Sequence, residues 1–217
     1  RKFAANFNNE ELIEAIKYAH KYKVKVYVTV NTLIYEDEVE EVAGAISEAE
    51  TDRLAEEAVT GTVVAPSEGV IQTPIVGDVV VLSNVNDPVF SSGAMGQGIA
   101  VKPSEDVVYA PAEAEVTIVF PTGHAYGLRT ANGAEILIHV GIDTVSMNGE
   151  GFNHKVAQGD KVKAGDVLGT FDSAKIAAAG LDNTTMVIVT NTADFASVNP
   201  VASGSVAKGD AIIEVKA

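Results

Sequence analysis

The spacing of apolar positions along this chain changes character near Thr60. Before it the period is helical. Over residues 7–22, Leu12, Ile16 and Ala19 share one face, Asn8 is placed to cap the start, and Glu11 follows three residues later. Residues 24–30, VKVYVTV, have the β-branched and aromatic content of a short strand, and residues 37–53 return to Glu- and Ala-rich helical sequence. The opening therefore predicts a small α/β segment over 1–42 and a helical linker over 43–59. Beyond Thr60 the chain becomes a series of short Val/Ile runs broken by Gly, Asp, Asn and Pro: GDVVVLSNV, AEVTIVF, AEILIHV, TMVIVT and AIIEV. That texture predicts a mainly β domain over 60–217.

Weak internal repetition refines the expectation. VAQGDKVKAGDVLGTF (156–171) and VASGSVAKGDAIIEV (201–215) share a scheme of strand, Gly turn, Val, Gly-Asp turn and strand, and VVAPSEGVI near Val63 echoes VYAPAEAEV near Val108. Duplicated β motifs of this kind point to a β-sandwich or barrel built from two related halves.

Composition narrows the functions open to such a domain. A hydrophobic content of 47% supports a packed core, while a net charge of −15 would repel a phosphate backbone, so nucleic acid is excluded as a partner. Six basic and eight acidic residues fall in the first 42, which leaves most of the negative charge on the β region. Cysteine is absent, which removes disulfides, thiolate metal sites and thiol nucleophiles. No run approaches the roughly 20 apolar residues of a membrane span. The expectation is a cytoplasmic chain with no direct membrane insertion.

Candidate chemistry rests on the four histidines, His20, His124, His139 and His154. In GHAYGLRTANGAEILIHVGID the Asn132-Gly133 pair predicts a two-residue hairpin turn, since both positions tolerate positive φ. That turn would set His139 opposite Tyr126 and His124 opposite Gly141, making the two histidines diagonal neighbours on one face. Alternation sends Ile136, Ile138 and Val140 to the core and Leu137 and His139 to the outer face, with Leu128 opposite Leu137. The expected site is a histidine pair in an apolar collar, where a neutral imidazole offers a lone pair near pH 7. Ordinary surface roles are expected for His20, on a helix, and His154, in a Gly-rich loop.

The same stretches, PTGHA (121–125), ANGAEILIHVGIDTV (131–145), NGEGF (148–152), NDPVFSSGAMGQGIAVKP (86–103), YAPAEAEV (109–116) and GDKVKAGD (159–166), closely resemble the glucose-type IIA domain of the bacterial sugar phosphotransferase system. The resemblance implies a β-sandwich of the duplicated-hybrid-motif type. It implies that His139 accepts phosphate from the phosphohistidine of HPr and passes it to a IIB domain, which carries it on cysteine before the sugar is phosphorylated during transport. By the same resemblance His124 would hold the phosphoryl oxygens and Thr122 would fix its tautomer. Phe90, Val89 and Phe120 would belong to an apolar docking ring, with Asp87 and Asp143 reaching for arginine on HPr. Membrane association would come through the IIB and IIC permease domains. Pro88, Gly123 and Gly127 depart from the family pattern and bear on loop stiffness.

Residues 1–42 resemble instead the opening of collagenase-like peptidases, although a single βα unit cannot close that family's barrel of about 250 residues. Three other functions compete for the β domain. A lysostaphin-like zinc metallopeptidase would be expected to carry HxxxD plus HxH elements, and on this reading the chain has neither. His124 and His139 could still hold Zn²⁺ if solvent or a partner completed the tetrahedron. A regulatory binding module would use the same histidine site to report phosphorylation state. A biotinyl- or lipoyl-type carrier has the right GDxVxxGD texture but no modifiable lysine motif between hairpin halves.

Overall fold

The structure, a computed structural model, describes residues 66–217. The predicted helices over 7–22 and 37–53, the strand over 24–30 and the linker over 43–59 lie outside the described residues. Within them the chain is mainly β, with fourteen strands: β1 (Gly69–Gln72), β2 (Gly77–Val80), β3 (Gln97–Pro103), β4 (Val107–Tyr109), β5 (Ala114–Val119), β6 (Ala125–Thr130), β7 (Glu135–His139), β8 (Phe152–His154), β9 (Lys161–Val162), β10 (Val167–Phe171), β11 (Thr185–Val189), β12 (Ser197–Pro200), β13 (Ser205–Val206) and β14 (Ala211–Lys216). Two short α-helices, α1 (Pro88–Ser91) and α2 (Ser173–Ala178), interrupt them.

The largest sheet runs β13-β2-β3-β11-β7-β6-β5-β9, and two three-stranded sheets, β1-β14-β12 and β4-β10-β8, complete the structure. None of the sheets closes on itself, so the sandwich half of the expectation holds and the barrel half does not. Strands β11 and β7 lie in the middle of the large sheet with both neighbours paired. Their central position explains why TMVIV is buried at every position.

The repeat seen in sequence is a repeat of turn chemistry. At Ala157–Asp160, Lys163–Asp166 and Ala207–Asp210 the aspartate carboxylate accepts the N–H of the residue three before it, each time at 2.8 Å. The glycine before each aspartate takes positive φ, 89°, 85° and 95°. Two of these turns lead from one strand to the next, β9 to β10 and β13 to β14, and the third stands just ahead of β9.

The hairpin that carries the histidines differs from the expected one by a residue. Gly133 has φ 83°, but Asn132 does not have positive φ, which rules out the two-residue turn. Three residues, Ala131 to Gly133, form the loop, and Thr130 and Ala134 exchange hydrogen bonds across it. Asn132 is engaged by the Thr130 hydroxyl, and its side-chain amide donates to the Ser67 carbonyl at 3.3 Å. Consequently Ala125, not Tyr126, stands opposite His139, and Val140 donates its N–H to the His124 carbonyl. Packing selects this register: Tyr126 and Leu128 now pair with Ile138 and Ile136, and all four lie in the main core.

Leu128 is thus a core residue rather than a member of the histidine face. The outer face of the hairpin, expected to be open, is itself covered. Ala125, Leu137, Met186, Ile188 and Ala100 form a second, smaller core with Leu82, Val85 and Phe90. The last three come from the segment around α1 that folds over the sheet. Pro88 stands at the start of that helix and Asp87 caps it, accepting the Val89 N–H at 2.8 Å.

Candidate functional site

His139 ends β7, between Ala125 on β6 and Met186 on β11. The strand alternation turns it to the outer face, where α1 brings the Phe90 ring within 5.1 Å of the imidazole, centroid to centroid. His124 sits just before β6, outside the regular strand, so alternation does not dictate its direction. The turn around Gly123 (φ 68°), closed by the Gly123 N–H on the Phe120 carbonyl at 2.7 Å, sets it instead. The two imidazoles come within 4.8 Å, nearly perpendicular at 77°, and Phe120 flanks His124 at 5.5 Å. Four rings, Phe90, His139, His124 and Phe120, therefore stand in a row across the mouth of the second core. The sequence placed the histidines together through a hairpin register that does not occur; the Gly123 turn brings them together by another route.

Hydrogen bonds assign the nitrogens. The His139 Nδ1 lies 2.8 Å from the Gly141 carbonyl, which can only accept, so Nδ1 carries the proton. In the neutral ring Nε2 then bears the lone pair. His124 Nδ1 is 2.5 Å from the Thr122 hydroxyl, and if that hydroxyl donates, Nε2 of His124 becomes an N–H donor. The arrangement is one nucleophilic nitrogen beside one donor.

Burial favours the neutral form of both rings. His124, only 4% exposed, has its pKa lowered to about 4, first by burial and then by the charge of His139. Burial also lowers that of His139, while the Gly141 carbonyl and the carboxylates of Asp87 and Asp143 pull it back up. The sign for stability follows. As pH falls below 6.5 the unfolded chain binds protons that folded His124 refuses, so stability drops until about pH 4, where the folded ring also protonates. The expected loss is on the order of 3 kcal/mol. Urea unfolding at pH 7 and pH 4.5 measures it, and His124→Gln should flatten the dependence; an unchanged slope would refute the assignment.

The remaining expected residues divide into two groups. Phe90 is buried and forms a wall of the site, whereas Val89 is 42% exposed and belongs to its rim. Phe120 is half-buried and Asp143 exposed, the latter in a left-handed conformation (φ 57°). Asp87 is partly buried, with one carboxylate oxygen committed to capping α1. Exposed Val81, Val145 and Ile118 add to the apolar surface of the domain. Contrary to the expectation above, His139 and Asp143 do have H-x-x-x-D spacing, yet among the described residues no three His, Cys, Asp or Glu side chains are grouped to hold a metal. A metal on the two Nε2 atoms would need the other tautomer of His124 and further ligands from elsewhere. His154 is exposed on β8, and His20 lies outside the described residues. The residues that sequence reading passed over are Gly141, as the acceptor that selects the His139 tautomer, and Thr144 behind it.

An open β-sandwich with a paired-histidine face defines the class of protein to compare. The model of the family "phosphoenolpyruvate-dependent sugar phosphotransferase system, EIIA 1" matches residues 69–195, and the chain belongs to that family. It is 42% identical over 145 residues to the glucose-specific EIIA component of Oceanobacillus iheyensis, covering 67% of this chain and 88% of that one. It is 48% identical over 134 residues to the beta-glucoside-specific EIIBCA component of Dickeya chrysanthemi, where the match spans 62% of this chain but only 21% of the relative. Among solved structures, glucose permease IIA from Mycoplasma capricolum superposes with a TM-score of 0.65 at 34% identity, covering 68% of this chain and 96% of that one. A second model, peptidase family U32, matches residues 1–65, which takes in both the 1–42 segment and the stretch read as linker.

Proposed function

We propose that this domain is the phosphocarrier of a sugar phosphotransferase system, with His139 as the residue phosphorylated. The observation that carries the reading is the hydrogen bond from His139 Nδ1–H to Gly141, which leaves Nε2 free beside His124 in an apolar surround. In the forward step Nε2 attacks the phosphorus of phosphohistidine on HPr; the new N–P bond forms as the N–P bond to HPr breaks and its histidine recovers its lone pair. Phosphoryl transfer asks for alignment, donors for the equatorial oxygens and exclusion of water. His139 supplies the nucleophile, His124 Nε2–H the donor held by Thr122, and the docked partner the cover over the apolar rim. Onward transfer then goes to a cysteine of a IIB domain.

The fusion with B and C components in the Dickeya and Corynebacterium relatives, both EIIBCA components, supports IIB and IIC domains as partners. Membrane association through such a permease follows from that pairing. No described helix is long and apolar enough to cross a membrane. Asp87 and Asp143 both act on His139 by charge, which supports a basic partner such as HPr.

The deciding test incubates the chain with phosphoenolpyruvate, Enzyme I and HPr, then adds a IIB domain. The expected result is an acid-labile, base-stable phosphoryl label that moves to IIB. A chain that takes no label from competent phospho-HPr would overturn the reading.

A further inference from the structure

Thr144, the first residue of a 3-10 turn running to Met147, is fully buried. Its hydroxyl donates to the Val140 carbonyl at 2.5 Å, four residues back, bridging the turn that contains Gly141 at φ 77°. Val140 also donates its N–H to the His124 carbonyl at 2.8 Å, and the Ile142 N–H, which shares a peptide with the Gly141 carbonyl, is held by the Asp182 carbonyl at 2.9 Å. Thr144 also packs hard against Gly141: a Cβ built on that glycine would come within 2.4 Å of the Thr144 methyl. The Gly141 carbonyl that accepts the His139 Nδ1–H bond thus lies in a peptide anchored by the bond to Asp182, and the peptide before it is anchored by the bridge through Thr144.

We propose that Thr144 is a positioning residue for His139, its hydroxyl closing the turn that presents the Gly141 carbonyl to Nδ1. It touches neither phosphate nor the reacting nitrogen. This rests on the reading of His139 as the phosphoryl acceptor. An imidazole deprived of a fixed partner at Nδ1 populates both tautomers, and the one protonated at Nε2 has its lone pair on the wrong nitrogen for attack. Two substitutions separate the hydroxyl from the methyl: Thr144→Val removes the first and keeps the second, and Thr144→Ser does the reverse.

The test reads the His139 tautomer directly, by long-range proton–nitrogen NMR of the unphosphorylated full chain, and then the rate of phosphate acceptance from phospho-HPr. Thr144→Val is expected to lose the single Nδ1–H form and to accept phosphate roughly ten- to a hundredfold more slowly, as displaced reacting groups do. Thr144→Ser should keep the tautomer and a rate within about twofold of the parent, since the turn stays closed. A Thr144→Val protein that retains the Nδ1–H tautomer overturns the proposal, as does a Thr144→Ser protein that loses it. If Thr144→Val gives no dispersed spectrum, the Ser variant decides alone. Failure of the parent chain to accept phosphate would overturn the phosphocarrier reading while leaving the tautomer result standing.

Discussion

Replacing His139 with Gln is expected to abolish phosphate acceptance, whereas His124→Gln should accept phosphate and fail to pass it on. The first follows from chemistry: glutamine has no nitrogen lone pair available for attack on phosphorus. The second follows from the charges in the two half-reactions. In acceptance the attacking group is a neutral imidazole, so no charge has to approach the anionic phosphoryl group, and His124 contributes modestly, within about tenfold. In the proposed onward transfer an anionic thiolate would approach the same group, and the Nε2–H of His124 would be the donor that offsets that repulsion. Loss of one such donor typically costs about 10²–10³ in rate. Because His124 is buried with its pKa lowered to about 4 in the unphosphorylated protein, it is neutral during acceptance and its contribution to that step should not vary between pH 6 and 8. Single-turnover measurements of each half-reaction separate the two. A labelled His139→Gln protein would move the phosphorylation site elsewhere, and equal losses in both halves for His124→Gln would remove its role as a selective donor.

How much of this was legible in the sequence varied with the kind of information each feature needs. Alternation in EILIHV gave the core assignment of Ile136, Ile138 and Val140 directly, since period two is a local property and all three are buried. The Gly-Asp repeat likewise appears as three equivalent turns, each determined within four residues. The hairpin register was not legible, because Asn-Gly suits two loop lengths. Here the Thr130 hydroxyl and the distant Ser67 hold Asn132 in the longer one. Nor was the cover on the outer face: Leu82, Val85 and Phe90 reach Leu137 from far along the chain, so a strand face that reads as exposed becomes a second core. The tautomer of His139 depends on a backbone carbonyl, which every residue has, and no side-chain pattern announces it. The closest local sign was Gly141 itself, two residues after the histidine, where a left-handed conformation lets the chain turn its carbonyl back.

Gly141→Ala is expected to be the most damaging single-methyl change near the site, and Gly180→Ala the control that shows why. Both glycines have nearly the same left-handed φ, 77° and 76°, so both substitutions carry the same conformational cost of about 1 kcal/mol. Their surroundings differ. At Gly180 nothing lies within 4 Å of an added Cβ, but at Gly141 it would meet the Thr144 methyl at 2.4 Å and the Asp182 carbonyl oxygen at 2.8 Å. One neighbour is a side chain held by its own hydrogen bond to Val140 and the other is backbone, so neither gives way freely. Overpacking of that kind adds about 1–3 kcal/mol, bringing Gly141→Ala to roughly 3 kcal/mol in all. For a domain of this size the midpoint of thermal unfolding should fall by about 10 °C at Gly141 and about 3 °C at Gly180. Activity should diverge further than stability. The shift at Gly141 moves the carbonyl that fixes His139 Nδ1, and a displacement of that order costs about a hundredfold in transfer rate. Gly180 holds no such contact with the histidine pair, so its variant should transfer phosphate at the parental rate below its melting range. Equal activity losses in the two variants would mean that the glycines act only through global stability, and that the carbonyl of Gly141 does not set the nucleophile.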